Sequence, residues 1–124
     1  MPVPNMDMIL MFVASPSESA RFYEKLFGLK PLEESPTFAL FALPNGIQIG
    51  LWSHKTAEPK VSAKAGACEI AFSDDHVDEV FKAWQKKGIA FVQHPTDMDF
   101  GRTFVALDPD GHRIRVYKVW EEGR

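Results

Sequence analysis

The chain has 124 residues, 45% of them hydrophobic and 25% charged, with a formal net charge of -3. That is the length of a single domain, 1–124, able to bury a core without disulfide or metal staples. The acidic balance leaves no basic footprint and excludes nucleic acid as a main partner. The lone cysteine, Cys68, excludes an internal disulfide framework and fits a reducing cytoplasm; it reads as a small packed hydrophobe, with a reactive thiol as the alternative.

The first apolar run, "MILMFVA" from Met8 to Ala14, is too short to span a bilayer and follows no basic residues. It is expected to be a buried strand, with no signal peptide and no membrane partner. "SPSESARFYEKLFGL" then predicts a helix. Ser15 stands at the N-cap, Pro16 at the first helical position and Glu18 where a capping box needs it. Phe22 and Leu26 share a face, and Gly28 suits the stop. A second strand follows, then "TFALFAL" as the third, the turn "LPNGI", and "IQIGLWS" as the fourth.

The plan then repeats. "EIAFS" is a strand, and "DDHVDEVFKAWQKKGI" is a helix capped by Asp74 or Asp75, with His76 in its first turn. Val77, Phe81 and Trp84 form its apolar face and Gly88 its stop. A second strand, "RTFVAL" as the third, the turn "DPDGH" and "RIRV" as the fourth complete it. Both turns carry Pro at the second position and Gly at the fourth, as in a type I turn closed by a left-handed glycine. The fold class is therefore α+β: two βαβββ modules at residues 6–54 and 67–120, with the polar linker "KTAEPKVSAKAG" at 55–66.

Strand alternation assigns the faces. Arg113 and Arg115 share one side of the last strand, with Ile114 and Val116 on the other. Ile47, Ile49 and Leu51 face the helix, and Gln48, Gly50 and Trp52 the opposite side. Gly50 removes a side chain and makes room for a ligand there, and Trp52 presents a flat indole, unless it packs at a module or subunit interface. His54, His76, His94 and His112 have no zinc-motif spacing. No paired-carboxylate or Ser-His-Asp signature argues for hydrolysis, and no glycine loop for phosphate.

The paired modules, "ARFYEKLFGLKP" and "FGRTFVALDPDGHRIRV", resemble the vicinal oxygen chelate superfamily over nearly the whole chain. That family includes glyoxalases, fosfomycin-resistance transferases, extradiol dioxygenases and bleomycin-binding proteins. The resemblance implies a curved mixed sheet around a cavity. It also implies metal ligands at the start of each module's first strand and on a fourth strand. The corresponding positions here hold Met8, Glu69, Gly50 and Arg115. A thioether, a bare glycine, a guanidinium and one carboxylate are a poor donor set for a divalent ion. No metal, no cofactor and no catalytic residue are therefore expected. A Glu69–Arg115 ion pair is plausible, either filling the vacated site or leaving a group free for a ligand.

Within the superfamily, "IQIGLWS" and "DMDFGRTF" look most like the phenazine-binding resistance branch. That resemblance implies a planar aromatic ligand stacked on Trp52, with Met8, Leu10 and Phe12 lining the wall. Phe100, Gly101 and Arg102 would form a loop over the pocket mouth, unless they pack a dimer seam. A homodimer is expected from the exposed strand edges and apolar face. The alternative function is an enzyme of the same fold, metal-dependent or metal-free: a lyase, isomerase or dioxygenase.

Overall fold

The computed structural model describes residue 3, residues 5–62 and residues 64–121. The chain forms two compact units, Met1–Ala65 and Gly66–Arg124, each holding one βαβββ module.

The first unit runs β1 (Met8–Val13), α1 (Pro16–Phe27), β2 (Glu33–Glu34), β3 (Phe38–Ala42) and β4 (Gln48–Ser53). Its mixed four-stranded sheet has the order β1-β4-β3-β2, with β1 parallel to β4 and the other pairs antiparallel. The expected cap is in place: the Ser15 hydroxyl accepts a hydrogen bond from the Glu18 N–H, and Gly28 closes the helix at φ +68°. The helix buries a stripe centred on Tyr23, with Ser19, Ala20 and Leu26. Phe22, expected on that stripe, is only half-buried and meets Tyr23 edge-on at 5.0 Å. Tyr23, Phe27 and Phe41 then form an aromatic core with ring separations of 5.4, 6.4 and 6.2 Å. Met11, Val13, Ile49 and Leu51 fill the sheet side of it. Each such buried side chain is worth about 1.5–3 kcal/mol of transfer from water.

The second unit runs β5 (Glu69–Ser73), α2 (Val77–Lys86), β6 (Ala90–Asp97), β7 (Gly101–Leu107) and β8 (Arg113–Val119), with sheet order β5-β8-β7-β6. β5 is parallel to β8. Helix α2 begins later than its sequence suggests. Neither aspartate caps it; His76 holds the N-cap position and makes no side-chain cap bond. The Asp74 carboxylate instead accepts the His76 N–H at 2.7 Å, a local turn that competes with helix for these residues. Phe81 and Trp84 pack on Phe104, and Phe91 joins them. Strand β6 lies at the sheet edge, which tolerates Pro95 and the two register shifts around Gln93.

The two hairpin turns are built alike. Gly46 and Gly111 have φ of +93° and +87°, and their N–H groups reach back to the carbonyls of Leu43 and Asp108. In the second turn, Asp108 is fully engaged. One carboxylate oxygen accepts the N–H groups of Asp110 and His112, and the other meets His112 Nδ1 at 2.8 Å. His112 is buried, and its Nε2 accepts the Gly66 N–H at 3.1 Å, so Nδ1 is the ring nitrogen that meets Asp108. Gly66 rests so closely on the Asp110 carbonyl that no Cβ fits there. Because the Asp108 side chain is buried and serves three donors, Asp108→Ala is expected to destabilise the protein by about 3 kcal/mol in urea unfolding. A cost under about 0.5 kcal/mol would contradict the assigned bonding.

Candidate functional site

Parallel pairing in each unit decides which side chains share a face. In the first sheet Met8 lies beside Gln48, Leu10 beside Gly50, and Phe12 beside Trp52; β3 adds Phe38 beside Trp52 and Leu40 beside Gly50. These residues share the face away from α1. Their face is apolar except for Gln48. Leu10 is 42% exposed, and Met8, Phe12, Phe38 and Trp52 are half-buried. Phe38 meets the Trp52 indole edge-on at 6.3 Å and 89°, which braces the ring and leaves its face for another partner. Gly50 does not leave the open space expected of it. A Cβ there would stand 2.6 Å from Leu10 Cδ2 and 3.0 Å from Phe38 Cζ, so the glycine seats the chain's own side chains.

The second sheet's face away from α2 is polar. Glu69 lies beside Arg113 and Ala71 beside Arg115, matching the Met8–Gln48 and Leu10–Gly50 register of the first unit. The Glu69 carboxylate sits between two guanidinium groups, with Oε1 3.3 Å from Arg113 Nε and Oε2 3.0 Å from Arg115 Nε. Arg115 Nη1 donates to Thr103 Oγ1 at 3.1 Å, and that buried hydroxyl donates in turn to the Val116 carbonyl. The Phe100 ring lies 5.9 Å from the Arg115 guanidinium and edge-on to Tyr117 at 6.4 Å. Glu69, Arg115 and Phe100 are thus brought together. Thr103 and Tyr117 join them without having been singled out in the sequence. The signal was available: Thr103 and Tyr117 are register partners, each an even number of positions from a residue of that face.

Arg102 is placed elsewhere. It lies in β7, not in a loop, and pairs with Lys118, which puts it on the helix side. Its guanidinium grips Asp78 of α2 with Nε and Nη2 at 2.8 and 3.0 Å, and Asp97 with Nη1 at 2.9 Å. It is a surface clamp between helix and hairpin, and it faces away from Arg115. The hairpin tip that carries Phe100 is closed by paired bonds between Met98 and Gly101. It is held from beside by Trp120, whose Nε1 donates to the Met98 carbonyl and whose N–H donates to the Phe100 carbonyl. Gly101 lies against the Lys118 carbonyl with no space for a side chain.

A family model described as the glyoxalase/bleomycin resistance protein/dioxygenase superfamily matches residues 5–116. The chain belongs to that superfamily. It is 30% identical to the phenazine antibiotic resistance protein EhpR of Enterobacter agglomerans, with 91% of this chain and 89% of that protein covered. It is 28% identical to the metallothiol transferase FosB of Lysinibacillus sphaericus, covering 94% of this chain and 84% of that one. Among solved structures, protein ATC0852 from Agrobacterium tumefaciens superposes with a TM-score of 0.83 at 46% identity, covering 96% of this chain and all of the other.

The superfamily resemblance puts a metal at the positions of Met8, Glu69, Gly50 and Arg115, and the residues present do not fit one. Their single carboxylate is already bonded to two guanidinium groups, and a divalent ion there would face their repulsion. The other clustered donors, Asp108, Asp110 and His112, belong to the turn, and the Asp108 oxygens and His112 nitrogens are occupied within it. Burial pushes the Cys68 thiol's pKa up, and the negative charges of Asp108 and Glu69 push the same way, which disfavours the thiolate. No helix among the described residues is long and apolar enough to cross a membrane.

The Arg102 clamp has a titration signature. Hydrogen bonding to Arg102 holds the Asp78 carboxyl below its ordinary range, so its contribution to stability is present above the unfolded-state value and is lost as pH falls through the folded one. The pair is largely exposed, so solvent and salt screen most of it and the contribution is small. Carboxyl-detected NMR of Arg102→Ala should show the Asp78 midpoint moving up to that of an ordinary surface aspartate. An unmoved midpoint would place the clamp elsewhere.

Proposed function

We propose that this protein binds and sequesters a planar aromatic small molecule, in antibiotic-resistance fashion and without a catalytic metal. One observation carries the reading: the braced Trp52 indole stands on a half-open face with Met8, Leu10, Phe12 and Phe38. Identity of 30% to a phenazine antibiotic resistance protein over nearly the whole chain supports an aromatic ligand class. Flat apolar rings gain from burial, and stacking adds roughly 0.5–1.5 kcal/mol per aromatic contact. A ring covering the indole and its neighbours reaches micromolar affinity, about -8 kcal/mol, on those terms. Met8 supplies a polarizable, adaptable surface. In the second unit, Glu69 and Arg115 offer charged, orienting groups and Phe100 an aromatic ring beside Arg115. Gly50 acts indirectly by seating Leu10 and Phe38, and Arg102 by bracing the hairpin that carries Phe100. The protein works as a homodimer in the cytoplasm, with β1 at a sheet edge and Leu10 exposed beside it.

Titration with phenazine should quench the intrinsic fluorescence with a dissociation constant on the order of micromolar. Trp52→Ala should weaken binding, read by calorimetry, at least about tenfold. Trp84, packed on Phe104, and Trp120, tied to the Met98 carbonyl, provide a background signal in the variant. A panel of flat aromatics that leaves fluorescence and heat unchanged would remove the reading.

A second reading, an enzyme of the superfamily, is favoured by the 28% identity to a metallothiol transferase. Elemental analysis of the purified protein separates the two. Binding without metal predicts substoichiometric nickel, manganese, iron and zinc, and no gain of ligand affinity when they are added. A tightly held equivalent of any of them would favour the enzyme.

A further inference from the structure

We infer that Gln48 hydrogen-bonds a neutral substituent of the ligand, so that the ligand class is a flat polycycle with a carboxamide-like edge; this deepens the aromatic-binding reading above and rests on it. Every residue involved lies in the Met1–Ala65 unit. The strand registers sort its open face into three rows. Phe12, Trp52 and Phe38 make an aromatic row at one end, and Met8, Gln48 and Ala42 make the row at the other. Between them Gly50 sends up no side chain. Leu10 and Phe38 lie over it, 2.6 and 3.0 Å from where a Cβ would stand, and give the middle row an apolar floor. At about 3.3 Å per residue, Gln48 stands about 13 Å from Trp52 along β4. A three-ring system with one end on the indole carries a substituent at its other end to Gln48.

Gln48 is the one polar side chain in those rows. Its backbone is pinned, with its N–H donating to the Asp7 carbonyl at 2.8 Å and a register partner on either side. Its side-chain amide is not: half-buried, it makes no hydrogen bond to any described residue. Ala42 is too short to cover it, and Met8 offers only a weak sulfur acceptor. One carbonyl and one NH₂ group therefore stand without protein partners at the end of an apolar strip. A primary carboxamide presents the same two functions in reverse and pairs with them through two parallel hydrogen bonds. An apolar edge laid there would take the Gln48 amide out of water and return nothing for it. Among strands β1–β4 the charged residue on this side is Glu33, beside Leu40 on the outer strand. Those strands supply no cation for an acid, so a neutral edge is the one they suit.

The test titrates three uncharged probes with one ring system: phenazine, phenazine-2-carboxamide and methyl phenazine-2-carboxylate. The carboxamide should bind at least about tenfold more tightly than phenazine, with the ester, which accepts but does not donate, in between. Gln48→Leu should bring the carboxamide-to-phenazine ratio down to about one while leaving phenazine affinity nearly unchanged, with circular dichroism checking the fold. Trp52→Ala should weaken all three probes and keep their ratios, because the two ends of the strip act independently. In heteronuclear NMR of the unmutated protein, the Gln48 side-chain NH₂ signals should move with the carboxamide and stay nearly in place with phenazine. Equal affinity for carboxamide and phenazine would overturn the inference and leave aromatic binding standing. A carboxamide preference that survives Gln48→Leu, or Gln48 signals that ignore the carboxamide, would overturn it as well. No binding of any probe would remove both this inference and the reading beneath it.

Discussion

The parallel pairing of first and fourth strands in each module governs everything on the working faces. Side chains on a strand alternate, so a shift of one residue would exchange the two faces outright. The registers Leu10–Gly50 and Ala71–Arg115 are equivalent, and the small residue is the fourth-strand residue itself in one module and its first-strand neighbour in the other. In the first sheet the small residue is Gly50, and Leu10 and Phe38 close over it. In the second it is Ala71, and the arginine beside it stays reachable. Hydrophobic burial on the helix sides, through Tyr23 and Phe41 in one unit and Phe81 and Phe104 in the other, fixes those registers.

Much of the fold was legible because local signals agreed with one another. The Ser15 cap, the glycine stops and the two Pro-Asx-Gly turns each have a mechanism confined to a few residues, and each is formed as read. The face assignments followed from alternation in "IQIGLWS" and "RIRV". The start of α2 was misread because two aspartates compete for one role. Asp74 satisfies a nearby backbone N–H in a turn, and the helix then starts without a side-chain cap.

The site was less legible, and for a different reason. Arg102 opens the strand "RTFVAL" in the sequence, and its place in a loop over the pocket mouth came only from the resemblance. The tight reversal at Met98–Gly101 sets β7 going one residue earlier and sends Arg102 to the helix face, where Asp78 and Asp97 wait. Those partners lie far apart in sequence from each other, and no local pattern joins them. Gly50 was read as room for a ligand, whereas Leu10 and Phe38 of the chain itself take that room, and a sequence does not say what fills a glycine's place. The partnership of Arg115 with Thr103 needed the antiparallel register of β7 and β8, which depends on the hairpin's length.

The two modules share one backbone plan and carry contrasting chemistry on it. In the first, the positions next to the fourth strand are Met8, Leu10 and Phe12, which offer dispersion and no direction. In the second they are Glu69, Ala71 and Ser73, flanked by Arg113, Arg115 and Tyr117, which offer direction and little buried area. A metal centre would need donors of the second kind in both modules, with no cation among them. Arg115 reverses the sign of the field at its own position, and Glu69 restores only part of it because one carboxylate serves two guanidinium groups.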